Sequence, residues 1–181
     1  MTPILGIIAS QQPGHISTSS YESIATYTVA SSGSINTVTF SSIPQTYKHL
    51  QIRAINSNAT EGNIFMQYNG DTAANYDRHF IYSDGATVAA GSDLSTQSGG
   101  FTSTTAGQFG AQVIDILDYT NTNKYKTSRM LTGFDNNGSG YIVFYSGLWR
   151  NTAAVNQITF VTNSGHTFRQ YSTWALYGIK G

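Results

Sequence analysis

Nine Asp and Glu side chains supply most of the acid and base chemistry open to this chain, and their spacing limits what they can do. Two pairs invite comparison with the acids of a glycosidase, Asp71 with Asp77 and Asp115 with Asp118. That reaction needs two carboxyl groups flanking one sugar cleft. Residues 115 and 118 have opposite parity, so in an alternating strand they point to opposite faces. Asp115 lies between Ile114 and Ile116 and is expected to face solvent opposite them. Asp71 belongs to an Asn69-Gly70-Asp71 turn, where Asn and Gly tolerate positive φ.

Metal chemistry fares no better. Asp135-Asn136-Asn137-Gly138-Ser139-Gly140 has the outline of a calcium loop, but an EF-hand closes with a bidentate Glu at its twelfth position, which here is Ser146. A hairpin turn between Leu131 and Tyr141 is expected instead. His15, His49, His79 and His166 fall on separate segments without a pair at ligand spacing, so surface or turn positions are expected, with no metal or cofactor. Gly138-Ser139-Gly140 lacks the spacing of a nucleophile elbow, a Walker loop or a dinucleotide fingerprint. The expectation is a non-enzymatic protein. Hydrolysis of a surface polysaccharide would be the natural reaction for scattered acids, and the sequence offers it no nucleophile.

The elements that must carry these residues are strands. Only 10% of the 181 residues are charged and none is Cys, which removes thiol catalysis and Cys-based zinc sites. Nine Lys and Arg balance nine Asp and Glu, leaving no basic surplus for phosphates, so DNA and RNA are not expected partners. The apolar start Ile4-Leu5-Gly6-Ile7-Ile8-Ala9 has no Lys or Arg before it and is too short to span a bilayer. The chain is expected to be soluble and unprocessed, without membrane insertion.

Strand patterns recur at even spacing: Tyr27-Thr28-Val29, Thr37 to Phe40, Leu50 to Ala54, Ile64 to Tyr68, His79 to Tyr82, Gln112 to Leu117, Ser128 to Thr132, Tyr141 to Tyr145, Gln157 to Val161 and Trp174 to Ile179. Many short strands between Gly and Asn turns predict an all-β fold, an antiparallel β-sandwich of jelly-roll type over residues 21–181. Residues 86 to 108 carry Gly91, Gly99, Gly100 and Gly107 among Ser and Thr, and are expected to form a long excursion that buries little.

Residues 1–20 read as an extended N-terminal arm. Burying Ile4, Leu5, Ile7 and Ile8 contributes about 6 to 12 kcal/mol, and ordering the arm's backbone costs about 1 to 2 kcal/mol per residue, roughly as much in total. Side-chain burial alone would not hold it. Pairing with a sheet edge, or presenting several arms from one oligomer, would tip the balance. The alternative is that the arm supplies a first strand to its own domain.

Several stretches together resemble a family of small structural proteins of tailed bacteriophages: Phe40-Ser41-Ser42-Ile43-Pro44-Gln45-Thr46-Tyr47, Asn69-Gly70-Asp71-Thr72 with Asn75-Tyr76, Ile114 to Tyr119 with Asn123-Lys124-Tyr125-Lys126, and Ala175 to Gly181. The opening Met1 to Ser10 is similar to the starts of phage head and tail accessory proteins. The resemblance implies a virion component on the particle surface, a capsid decoration or short fibre protein. Such a protein would be a homotrimer anchored through Ile4, Leu5, Ile7 and Ile8 on a major capsid or other virion protein. A low-charge surface rich in Ser, Thr, Asn and Tyr can pack against copies of itself without burying ions. The alternative is a receptor-recognition module for host surface glycans, in which Tyr76, Tyr119, Tyr125 and Trp149 stack on sugar faces and Asn side chains supply hydrogen bonds.

Deleting residues 2 to 12 is expected to leave the thermal transition of the sandwich cooperative while abolishing attachment to particles, read by co-sedimentation. Loss of the transition would return the arm to the fold.

Overall fold

The computed structural model describes residues 20–31, 33, 35–60, 62–95, 99–163 and 166–181. The anchoring residues Ile4, Leu5, Ile7 and Ile8 lie outside these. Alternating sequences form eleven strands among the described residues: β1 (Tyr21–Thr28), β2 (Thr37–Phe40), β3 (His49–Asn56), β4 (Ile64–Tyr68), β5 (Tyr76–Ser83), β6 (Val88–Leu94), β7 (Gly110–Leu117), β8 (Lys126–Asp135), β9 (Gly140–Trp149), β10 (Ile158–Thr162) and β11 (Thr173–Ile179). No helix occurs among the described residues.

The strands make two antiparallel sheets, as the sequence predicts. The larger runs β1-β11-β3-β7-β8-β9-β5-β6 and the smaller β2-β10-β4. The chain crosses between sheets at β1–β2, β2–β3, β3–β4, β4–β5, β9–β10 and β10–β11, while β7, β8 and β9 follow one another as hairpins. Period-2 alternation decides what is buried. Leu50, Ile52, Ile114, Ile116, Met130, Trp174 and Leu176 of the large sheet meet Val38, Phe40, Met66, Ile158 and Phe160 of the small one. The ring of Phe168 stands edge-on to Trp174 with centroids 4.7 Å apart.

The Asp135 to Gly140 stretch is the expected hairpin turn: Asn136 N donates to Ser139 O (2.6 Å) and Asn137 adopts φ 57°. The Ser/Thr/Gly stretch from 86 to 108 departs from expectation. Its first part is strand β6, paired along β5, and in its second part Gly99, Gly100, Thr102 and Ser103 are buried while 105–107 are exposed. Gly99 passes so close to β4 that an added Cβ would lie 2.5 Å from Ile64 O and 2.6 Å from Met66 N. Ser57 Oγ donates to Ser103 O (3.0 Å), Thr102 Oγ1 donates to Asn56 O, and Arg169 Nη2 donates to Thr104 O (2.8 Å) and Ala59 O (3.1 Å). Short hydroxyls satisfy the backbone here, so a stretch of low hydrophobicity packs without large side chains.

Lys126 adds a second staple. It is buried, and its ammonium donates to Asn121 O, Lys124 O and Thr152 O, tying the β7–β8 loop to the β9–β10 loop. Burial first, and the Lys124 charge second, lower its pKa.

Strand β11 pairs with both β1 and β3, and Trp174 fills the core between the sheets. Trp174→Ala is expected to cost about 3 to 5 kcal/mol in urea denaturation. Removing the last eight residues is expected to abolish the cooperative transition, because β1 then loses its neighbour.

Candidate functional site

Three of the four rings expected to stack on sugars are interior. Tyr76 and Trp149 lie on the inward positions of β5 and β9 and pack with Tyr68, the Tyr68–Trp149 centroids being 5.3 Å apart. Trp149 Nε1 donates to Asp71 Oδ2 (2.8 Å), and the Tyr76 hydroxyl donates to Asp71 O (2.9 Å) while accepting from Tyr68 N (3.0 Å). Burial pushes the Tyr76 hydroxyl up to about 12. Tyr119 is fully buried, and its hydroxyl donates to Pro44 O. These rings hold loops to the core and have no face left for a ligand. Tyr125 alone of the four is exposed, on the loop before β8. The sequence signal misleads because parity, not position near a turn, settles which way a strand-end ring points.

The acids are likewise committed. Asp71 accepts from Trp149, from Asn75 Nδ2 (2.9 Å) and from Ala73 N (2.9 Å); burial works to raise its pKa, and these hydrogen bonds together lower it. Asp77 pairs with Arg150 and accepts from Ser95 N (3.1 Å). Asp115 is on the outer face as expected, accepting from Gln51 Nε2 at 2.7 Å. Asp118 sits past the end of β7 in a positive-φ turn (47°), beside Lys124 and 3.0 Å from Lys48 Nζ. Its backbone N donates to His49 Nδ1 (2.9 Å). Among the described residues no group of three or more His, Asp or Glu is placed to hold a metal ion.

Two surface features that the sequence reading missed stand out instead. The first is a cleft of about 240 Å³ at the β5–β9 end of the inner face, walled by Arg78, Phe80, Tyr82, Tyr141, Tyr145 and Phe101. Arg78 Nε is 2.7 Å from Asp93 Oδ2, and the guanidinium lies 5.7 Å from the Phe80 ring centroid and 5.6 Å from that of Tyr145. Burial raises the Tyr145 pKa, with Arg78 opposing it. Phe101 meets Tyr141 edge-on, with centroids 5.2 Å apart. The residues at 78, 80 and 82, and at 141 and 145, share parity on neighbouring strands, a signal that becomes readable only once β5 is known to pair with β9.

The second is the outer face of the large sheet. Ile81, Phe144, Leu131 and Val113 are direct cross-strand partners on β5, β9, β8 and β7, and form an unbroken apolar row. Ile142 extends it one register along. All five are 40% to 56% exposed. The β3–β11–β1 end of the same face is different in character: Arg53 lies 5.8 and 5.9 Å from the ring centroids of Tyr21 and Tyr177 and donates to Gln51 Oε1 (3.0 Å). Each strand here has an inward and an outward set, and the outward set was legible as alternation for β3 but not for β8 or β9, where both faces carry apolar residues.

In comparisons with known proteins, no family model, no curated protein and no solved structure matches the chain.

The Lys124 ammonium, followed by that of Lys48, holds the Asp118 carboxyl down to about 2. An unfolded Asp titrates near about 3.9. The folded value being the lower one, Asp118 stabilises the fold above pH ~4, and this contribution fades as pH falls toward the folded pKa. A carboxyl-carbon NMR titration is expected to place Asp118 well below the ordinary carboxylate range, and the double change Lys48→Met with Lys124→Met to return it there.

Proposed function

We propose that this chain is a non-enzymatic structural component of a tailed-phage particle, a capsid decoration or short fibre protein that works by assembly. The observation that carries this reading is the apolar row across the outer face of the large sheet. The row spans four strands spaced about 4.8 Å apart, and seven residues rising about 3.3 Å each make its patch roughly 19 by 23 Å. That is about half of the ~800 Å² per partner of a standard interface.

Magnitudes favour many copies over a lone pair. Each of the five side chains has about half its surface still exposed, so covering them contributes roughly 1 kcal/mol apiece, about 5 in all. Association costs an estimated 4 to 15 kcal/mol. One such contact is marginal, and several made together are not, because linked contacts gain from effective concentration. A homotrimer on a repeating shell of capsid or other virion subunits meets that requirement. The resemblance to phage structural proteins points the same way, as does a surface on which charges are few. Ile4, Leu5, Ile7 and Ile8 then serve as the second attachment, and the protein's place is the particle surface.

Light scattering coupled to size exclusion is expected to give a homo-oligomer, with three copies the favoured mass. Leu131→Lys with Phe144→Lys is expected to give a monomer with little change in Tm, since both side chains are largely outside the core. A monomeric wild-type protein, or a double variant that still assembles, would overturn the reading.

A further inference from the structure

We propose that the cleft walled by β5, β9 and Phe101 binds a neutral pyranose. The walls are mostly aromatic, with a few polar groups converging on the space, which is the general pattern of small-ligand sites. Phe80, Tyr82 and Tyr141 present ring area, Tyr141 being 38% exposed. Gly91 of β6 makes room for this arrangement. A Cβ there would come within 2.7 Å of the tip of the Phe80 ring, so the ring lies across β6 only because residue 91 has no side chain.

Three hydroxyls line the same space. Those of Tyr82, Tyr141 and Tyr145 have no hydrogen-bond partner among the described residues and open to the solvent of the cleft. Covering a hydroxyl without giving it a partner costs about 1 to 3 kcal/mol, so an occupant that offered only hydrocarbon would strand those it covered. The occupant must therefore carry its own donors and acceptors.

Charge narrows the choice further. Arg78 is the cation of the cleft, and it is already paired with Asp93 and held against the faces of Phe80 and Tyr145. Asp93 already offsets this charge through Nε, so an anion in the cleft would meet a carboxylate beside the cation. The remaining class is a neutral molecule with one flat C–H face for the rings and hydroxyls around its rim. A pyranose has that shape, its C–H face set on Tyr141 and Tyr82, its hydroxyls bonded to the tyrosine hydroxyls and to the Asp93 carboxylate, which is 38% exposed. A volume of about 240 Å³ suits one sugar residue and falls below the ~300 Å³ where larger ligand pockets begin. The glycan-contact chemistry expected at Tyr76, Tyr119 and Trp149 is thus available at a different set of rings.

A single sugar on an open cleft binds weakly, so the test reads contact directly. Saturation-transfer NMR on the full-length protein would use the methyl glycosides of glucose, galactose, mannose and N-acetylglucosamine, with sialic acid as the anionic control. At least one neutral glycoside is expected to receive saturation at its ring protons. Tyr141→Ala is expected to weaken that sugar by at least about tenfold. The double change Tyr82→Phe with Tyr141→Phe keeps the rings and is expected to weaken it by about fivefold with an unchanged thermal transition. Tyr125→Ala is expected to change nothing. The double variant Leu131→Lys with Phe144→Lys is expected to keep the sugar signal, so failure of the assembly reading registers separately. Silence from all four neutral sugars, preference for sialic acid, full binding by Tyr141→Ala, or loss of binding in Tyr125→Ala would each overturn the proposal.

Discussion

An eight-stranded sheet facing a three-stranded one cannot be covered across its full width, and most of this molecule follows from that mismatch. Strands lie about 4.8 Å apart, so five strand widths of the inner face need another cover. The 99–105 segment supplies part of it through Gly99, Thr102, Ser103 and Phe101, and the loops around Val155 and Phe168 supply more. Where this cover thins, at the β5–β9 end, the inner face opens as the aromatic cleft.

The same constraint explains the composition. Loops that cover a sheet carry backbone groups into the interior, and each buried N–H or C=O needs a partner. Here the partners are short polar side chains. The Ser172 hydroxyl accepts from Ser57 N and donates to Ser57 O, the Asn69 side chain takes Ala154 O, Asn156 N and Gln157 N, and that of Gln45 takes Ile43 O and Val155 O. Buried Lys126 and half-buried Arg169 act through carbonyl oxygens rather than carboxylates, whereas half-buried Arg78 pairs with Asp93. An uncharged Ser/Thr/Asn-rich sequence is what a sandwich needs when loops, not a second wide sheet, close its core.

The two faces of the large sheet then divide the surface. On the outward side, apolar residues sit in register across four strands and invite broad, flat contact. On the inward side, rings and hydroxyls converge on a space the size of one sugar. Both sides use the same β5, β9 ladder: Ile81 and Phe144 point out where Phe80 and Tyr145 point in. The proposed assembly face and the proposed sugar cleft lie on opposite sides of one ladder and so do not compete for area.

Nine of the eleven strands were legible in the sequence, and β1 only at Tyr27-Thr28, because alternation and turn residues are local signals: Ile64 to Tyr68 forms β4 with those bounds, and the Asn69-Gly70 and Asn137-Gly138 turns adopt the positive φ their residue types favour. β6 was not, since Val88-Ala89-Ala90-Gly91-Ser92-Asp93-Leu94 draws its strand character from the partner it pairs with. The candidate site was scarcely legible at all. Tyr76, Tyr119 and Trp149 looked available, and only the packing of β4 under β5 and β9 put Tyr76 and Trp149 inside, while the Pro44 loop enclosed Tyr119. Local sequence determined where the chain extends and where it turns, because those depend on a residue and its immediate neighbours. Tertiary structure decided which face each ring occupies and which rings meet, because strand order joins residues such as Phe101 and Tyr141 that no local rule connects.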